Sequence, residues 1–242
     1  MVEILPGVHL VDGVDPSPDF TTHVYLLKDR GNTWTLIDSG LPGSDVAIGA
    51  YLAQLKIPPT SVKKILITHL HRDHVGGLAR MIERTKARTF SHWIEAAYIN
   101  CKPAYDGPGA PPAEPVVIDE VLKDGDPVDA AGGLVAYHTP GHTPGHLAYY
   151  HPERKLLFSG DLFFGEKDGL ILTVPDYTHH TPTARISAHR MAQLSVESVL
   201  SYHGGPVLKN GGSALRKFAR LDRSGEGSIR AGKQRPSGTG QI

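Results

Sequence analysis

Six residues carry most of the chemical information in this chain. His69-Leu70-His71-Arg72-Asp73-His74 places four potential metal ligands at the end of the apolar run Lys64-Ile65-Leu66-Ile67-Thr68, and the pair Gly76-Gly77 follows after Val75. A β-branched and leucine run of that length reads as a buried strand. In the extended backbone that follows it, residues two apart project to the same side, so His69 and His71 can share one ion. The glycine pair and the pattern Leu78, Met81, Ile82 mark a turn into a helix, which lets Asp73 and His74 face a second ion. With 14 histidines among 242 residues, a lone histidine says little. Four potential ligands in six residues at a strand end point to a metal or catalytic site.

Three more strand ends offer ligands of the same kind. Thr139-Pro140-Gly141-His142-Thr143-Pro144-Gly145-His146 follows the strand-like Val135-Ala136-Tyr137-His138, and its Pro-Gly turns present His142 in a fixed direction. Ser159-Gly160-Asp161 follows Leu156-Leu157-Phe158, and Tyr202-His203-Gly204-Gly205-Pro206 repeats the arrangement. Histidine or aspartate beside glycine at four strand ends is the pattern of a site built along one edge of a sheet.

Together these segments resemble the metallo-β-lactamase-fold hydrolases, over about residues 8 to 210. The resemblance implies an α/β architecture: a four-layer αββα sandwich of two mixed β-sheets flanked by helices. It also implies two divalent metal ions, Zn2+ first, with Fe, Mn or Ni also suited to His and Asp ligands. By residue-wise carry-over, His69, His71 and His142 hold the first ion, Asp73, His74 and His203 hold the second, and Asp161 bridges them. Asp38, in Leu36-Ile37-Asp38-Ser39-Gly40, matches an acidic residue that supports the ligand loop from behind. The implied nucleophile is a hydroxide shared by the two ions, with Asp73 as proton acceptor and orienting group, so no Ser or Cys nucleophile is required.

The resemblance also narrows the substrate. His71 stands where redox di-iron members carry Glu, and Asp161 stands where true β-lactamases have Cys or Ser. The chain is too short for the cap of the nucleic-acid-processing branch. The Thr-Pro-Gly-His-Thr-Pro-Gly-His-Leu stretch is similar to both glyoxalase II-like thioesterases and acyl-homoserine lactonases. The lactonase tyrosine three residues after the bridging Asp is Phe164 here, and the Cys-Gly turn of glyoxalase II is missing after Asp161. A broad hydrolase of esters, lactones, thioesters or phosphoesters (phosphotriesters among them) is the expectation, with a mononuclear iron dioxygenase acting on sulfur compounds as the alternative. His146 is expected to act catalytically by touching substrate or a ligand. Tyr177, His179 and His180 are expected to be loop residues that could shape the pocket.

The elements that must position these residues can be read from apolar runs and turn residues. Strands are expected at Val8 to Val11, His23 to Leu27, Thr33 to Asp38, 63 to 68 and Arg88 to His92. Pro42-Gly43-Ser44 opens an amphipathic helix through Lys56 with Val46, Ala50, Leu52 and Ala53 on its apolar side, and further helical segments cover about 77 to 86 and run up to Asn100. Residues 103 to 115, with five prolines, read as a loop at a pocket rim. Strands resume at Pro115 to Ile118, Leu134 to His138, Leu147 to His151 and Lys155 to Phe158, the last two as a hairpin. A helix over about 183 to 195 and a short strand ending at Ser201-Tyr202 complete a single domain, 1 to 222, before a Gly- and Ser-rich flexible extension from Arg223 to Ile242.

Composition sets the outer bounds. At 242 residues the chain can bury roughly 70 to 75% of its unfolded surface, so no disulfide staple is needed. Its 25 basic and 25 acidic residues cancel, which leaves no overall electrostatic case for nucleic acid or an anionic membrane as partner and allows at most a local patch. The single cysteine, Cys101, suits a reducing compartment. No basic leader or long apolar segment is present, so a cytoplasmic protein acting on a small-molecule substrate is expected, with a homodimer compatible with the sequence.

Overall fold

Alternation of apolar side chains along the strands sets the layers of this protein. The computed structural model describes residues 1–11, 21–101, 104–110, 114–167 and 169–224. Seven strands, β1 (Val2–Leu5), β2 (Val8–Val11), β3 (Val24–Lys28), β4 (Trp34–Ile37), β5 (Val62–Leu66), β6 (Arg88–His92) and β7 (Glu120–Leu122), lie side by side in sequence order. The first four form an antiparallel meander, and β4 to β7 run parallel, joined through α1 (Ser44–Gln54), α2 (Arg72–Val75), α3 (Leu78–Thr85) and α4 (Trp93–Ile99).

The second sheet holds β8 (Pro127–Val128), β9 (Leu134–His138), β10 (Leu147–His151) and β11 (Leu156–Gly160) in antiparallel pairs. A separate hairpin, β12 (Phe163–Glu166) and β13 (Gly169–Leu172), leads into α5 (Thr181–Met191). The last strand, β14 (Ser198–Ser201), returns parallel to β11 and is followed by α6 (Gly211–Ser224).

Strand residues two apart share a face, and each strand therefore serves two cores. In β3, Val24 and Leu26 pack with Ile48, Tyr51 and Leu52 of α1 and Leu78 and Met81 of α3. Tyr25 and Leu27 face the other way, into an inter-sheet core with Leu134, Ala136, Leu147, Tyr149 and Phe158. In β10, Ala148 and Tyr150 turn outward to Ala188 and Met191 of α5 and Leu215 and Phe218 of α6. Helix, sheet, sheet, helix is the αββα order expected from the sequence. Each buried Leu, Ile or Phe contributes about 1.5–3 kcal/mol, so stability resides in these cores while the loops at the strand ends are free to carry polar chemistry.

The structure departs from the sequence reading in several places. The apolar face of α1 is Ile48, Tyr51 and Leu52, whereas Val46 is 63% exposed, because the i, i+3, i+4 stripe starts at Ile48 and not at the small residues. No strand forms at 115 to 118. The carboxylate of Asp119 accepts the Thr89 backbone N–H and hydroxyl, so ladder pairing with β6 starts only at Glu120. The helix expected over 183 to 195 is Thr181–Met191, with Pro182 in its first turn and the His180 side chain accepting from Thr183 N. The β12–β13 hairpin and α6 were not anticipated. The extension expected from Arg223 begins inside α6, and residues 225–242 lie outside the described residues. Among the described residues no helix is long and apolar enough to cross a membrane.

Candidate metal centre

Every predicted ligand lies beyond a strand end, on a loop or in the single turn of α2, at one edge of the two sheets. His69 and His71 follow β5, and Asp73 and His74 occupy α2, whose single turn starts directly after His71. His142 lies in the β9–β10 turn, Asp161 follows β11, and His203 follows β14. The Leu147 N–H donates to Thr68 O at 2.8 Å and the Tyr149 hydroxyl to Ile67 O at 2.8 Å, tying the second sheet to the first ligand loop.

The Gly76-Gly77 pair works through space, not torsion. Both have ordinary negative φ, but a Cβ on Gly76 would lie 2.3 Å from the Pro42 ring, and one on Gly77 would lie 2.4 Å from Ser39 O. The bare backbone lets α2 press against the β4–α1 loop, where Ser39 N donates to His74 O at 2.8 Å and Gly77 N to Gly40 O at 3.0 Å. At Gly160, by contrast, φ is +50° and a side chain would strike His146 and Thr68, so the turn presenting Asp161 requires glycine on both counts.

The candidate ligand atoms lie close together. His71 Nδ1 is 3.1 Å from His69 Nε2 and 3.0 Å from His142 Nε2, and Asp161 Oδ2 lies 3.4 Å from His142 Nε2. On the other side, Asp161 Oδ1 is 3.2 Å from His74 Nε2, Asp161 Oδ2 is 3.3 Å from His203 Nε2, and Asp73 Oδ2 is 3.1 Å from His203 Nε2 and 3.7 Å from His74 Nε2. Three groups able to hold an ion result: His69, His71 and His142; His69, His74 and Asp161; and Asp73, His74 and His203. Ligands bound tetrahedrally at 2.0–2.1 Å stand about 3.3 Å from one another, which is the spacing seen here. The residues therefore have the donor types and spacing to hold metal.

The other nitrogen of each imidazole is held by the protein. His69 Nδ1 meets Thr68 Oγ1 at 3.1 Å, His142 Nδ1 meets Thr173 Oγ1 at 2.7 Å, and His203 Nδ1 donates to Thr21 O at 3.0 Å. His71 is reversed: its Nε2–H donates to Pro108 O at 3.0 Å, leaving Nδ1 for the centre. That contact places the 104–110 part of the expected 103–115 loop against His71, while residues 103 and 111–113 lie outside the described residues. Asp38 is fully buried, as its supporting role requires. Its Oδ1 accepts Thr68 N at 2.8 Å, and its Oδ2 accepts the Thr68 hydroxyl at 2.8 Å and His74 Nδ1 at 2.9 Å.

Electrostatics divide the site into two halves. Burial, with His74 next to His69 and His71 next to His142, keeps both rings well below the usual imidazole pKa, so they are neutral and ready to ligate. For His74 burial acts downward, yet Asp161, Asp73 and Asp38 outweigh it and hold the ring well above 6.5. His203, likewise opposed by burial, is raised to about 9 mainly by Asp161. Burial pushes Asp161 upward, but His203 and His74 hold its carboxyl well below the normal range. Asp161, Asp73 and Asp38 thus hold protons on two imidazoles, and these are the protons a dication would displace.

Of the two contacts expected of His146, ligand or substrate, the structure shows the one to a candidate ligand. His146 is fully enclosed; its Nδ1 meets Thr139 Oγ1 at 2.8 Å and its Nε2 accepts the Asp161 N–H at 3.1 Å. It supports the Asp161 turn from behind, since the Gly141–Gly145 turn carries it inward as it carries His142 toward the ligands. Tyr177, His179 and His180 have exposed side chains. Toward the His142 loop two of them contribute backbone: His179 N donates to His142 O at 3.0 Å and His180 N to Gly141 O at 2.8 Å. Phe163 is core, against Phe218, while Phe164 turns the other way, its ring 4.8 Å from that of His203.

Sequence reasoning missed Thr68, which joins Asp38, His69 and His74, and Tyr202, whose ring lies 3.6 Å from that of His74 and whose hydroxyl donates to Asp73 O. It also missed Glu95. An acidic residue in the short helical stretch after β6 was the only available signal, and nothing local shows that it is buried.

This fold and ligand set define a metallohydrolase-type protein, and the comparisons agree. The family model of the metallo-beta-lactamase superfamily matches residues 17–203, and the chain belongs to that superfamily. It is 31% identical over 190 residues to the probable metallo-hydrolase YybB of Bacillus subtilis, covering 78% of this chain and 83% of that protein. It is 36% identical over 180 residues to a hydroxyacylglutathione hydrolase of Pseudomonas aeruginosa, covering 72% of this chain but spanning only 60% of that relative. A metallo-beta-lactamase family protein from Thermus thermophilus has a similar structure, with a TM-score of 0.71 and 26% identity over 92% of this chain and 81% of that one.

Proposed function

We propose that the protein is a hydrolase that uses two divalent ions, zinc first among them, to open ester, lactone, thioester or phosphoester bonds of small molecules. The observation that carries this reading is the doubled ligand set, with His69, His71 and His142 on one side of Asp161 and Asp73, His74 and His203 on the other. Two ions held together lower the pKa of bound water toward about 7 and polarise a carbonyl or phosphoryl oxygen. Of the two carboxylates, Asp73 manages the proton: its side chain is 25% exposed against 5% for Asp161, so it is the more open to incoming water. The half-buried Phe164 beside His203 gives the substrate an apolar wall without a hydroxyl. Likeness to hydroxyacylglutathione hydrolases supports a thioester among the substrates.

Metal analysis together with a panel of ester, thioester, lactone and phosphotriester substrates tests the reading. About two ions per chain are expected, with turnover lost on chelation and restored by Zn2+. Asp161→Ala and His142→Ala should each abolish turnover while leaving the far-UV circular dichroism unchanged. One iron per chain with thiol-dependent oxygen uptake would replace the hydrolase by a sulfur dioxygenase. Inertness of the metal-loaded protein toward the whole panel would sink it.

A further inference from the structure

A fully buried carboxylate outside the ligand set joins the two halves of the centre. Glu95 lies in the first turn of α4, with no exposed surface. Its Oε2 accepts the Leu70 N–H at 2.8 Å, and its Oε1 accepts the Gly145 N–H at 2.6 Å. Leu70 separates His69 from His71, and Gly145 stands three residues after His142 and one before His146. The first loop leaves β5 of the seven-stranded sheet, and the second joins β9 to β10 of the five-stranded sheet. One side chain therefore spans the seam between the sheets at the level where three imidazoles must meet.

The surroundings indicate that the span is selected for position. Among the described residues no ion pair reaches Glu95, and burial raises its pKa to about 7 against the pull of its hydrogen bonds. A buried carboxyl without a cation is costly, and an apolar side chain would serve packing better. The second loop is shaped to it: a Cβ on Gly145 would lie 2.8 Å from Glu95 Oε1, so only glycine brings this backbone N–H so close. Two parallel acceptors on one rigid group fix the distance between two donors, which neither an amide nor an alkyl side chain can do.

We propose that Glu95 is a positioning residue of the metal centre: it clamps the His69–His71 loop to the His142 loop and so sets the separation of the three imidazoles that hold the first ion. The inference rests on the metal-centre reading above.

Its test is the affinity for metal, measured by chelator competition, with the visible spectrum of the Co2+-substituted protein as a second readout. Glu95→Gln keeps size and shape but sets an NH2 against one of the two N–H donors. It should bind Zn2+ about 10- to 100-fold more weakly, in the range seen when groups that orient ligands are lost, and should shift the Co2+ spectrum. With saturating metal, kcat should fall more than KM rises. Gly145→Ala, which keeps the carboxylate but pushes the loop away, should weaken Zn2+ binding in the same direction and serves if Glu95→Gln does not fold. Wild-type affinity and an unchanged Co2+ spectrum in whichever of the two folds would overturn the clamp, even if stability dropped. Failure of the wild-type protein to bind metal at all would instead overturn the site reading.

Discussion

Asp38 Oδ2 stands 2.9 Å from His74 Nδ1, both side chains fully buried, so a carboxylate from the end of β4 fixes the ring of a ligand that the sequence places 36 residues later. The same carboxylate also accepts the Thr68 N–H and hydroxyl. Asp38→Ala leaves three buried donors unmatched, and a loss of about 3 kcal/mol is expected in urea unfolding of the metal-free protein. Asp38→Asn, which keeps one acceptor, should lose less. Equal stability of wild type and Asp38→Ala would show that the network contributes nothing.

His146→Ala should reduce metal content, not alter substrate preference. Its ring accepts the Asp161 N–H and lies behind the ligands, out of reach of substrate. Metal per chain after dialysis and kcat/KM ratios across two substrate classes separate the possibilities. An unchanged metal content with a changed ratio would return His146 to the substrate side.

Gly76→Ala sets a methyl group 2.3 Å from the Pro42 ring and 2.4 Å from Arg72 O. Neither neighbour is a flexible chain end, so α2 must move away from the β4–α1 loop. Destabilisation of about 1–3 kcal/mol is expected, with weaker metal binding because Asp73 and His74 travel with the helix. Thermal unfolding of the metal-free variant, followed by zinc titration, checks both parts.

His92 supplies a pH-dependence separate from the ligands. Burial, with His138 stacked 4.2 Å away, lowers its pKa from 6.5 to about 4. Between those values the unfolded chain holds the proton that the folded protein refuses, so stability falls as pH drops from 6.5 towards 4 and is fully present above 6.5. His92→Phe should flatten that part of the profile. Urea midpoints at pH 7 and pH 5 measure it; an equal drop in wild type and variant would remove His92 as a contributor.

Much of this was legible in the chain. The candidate ligands of the first loop were readable because spacing along one strand and one turn is local: His69 and His71 alternate on extended backbone, and Asp73 and His74 share the first turn of a helix. The strands that bear them were equally plain, since an apolar run such as Lys64 to Thr68 has few other stable fates. Val46 misled for a related reason. A helix made largely of small residues has no strong apolar face of its own, and the sheet beneath it selected Ile48, Tyr51 and Leu52.

What the sequence by itself determined, then, was which side chains could bind metal and which apolar runs would become the strands leading to them, because both follow from residue type and short-range geometry. Only the tertiary structure decided that His142 points into the centre while His146, four residues on, props Asp161 from behind. It alone buried Glu95 between two loops from different sheets and revealed that Gly76 is glycine for want of space against Pro42. Those outcomes depend on how two sheets pack, and that packing is the sum of many weak apolar contacts spread along the chain, none of which is written near the residues it positions.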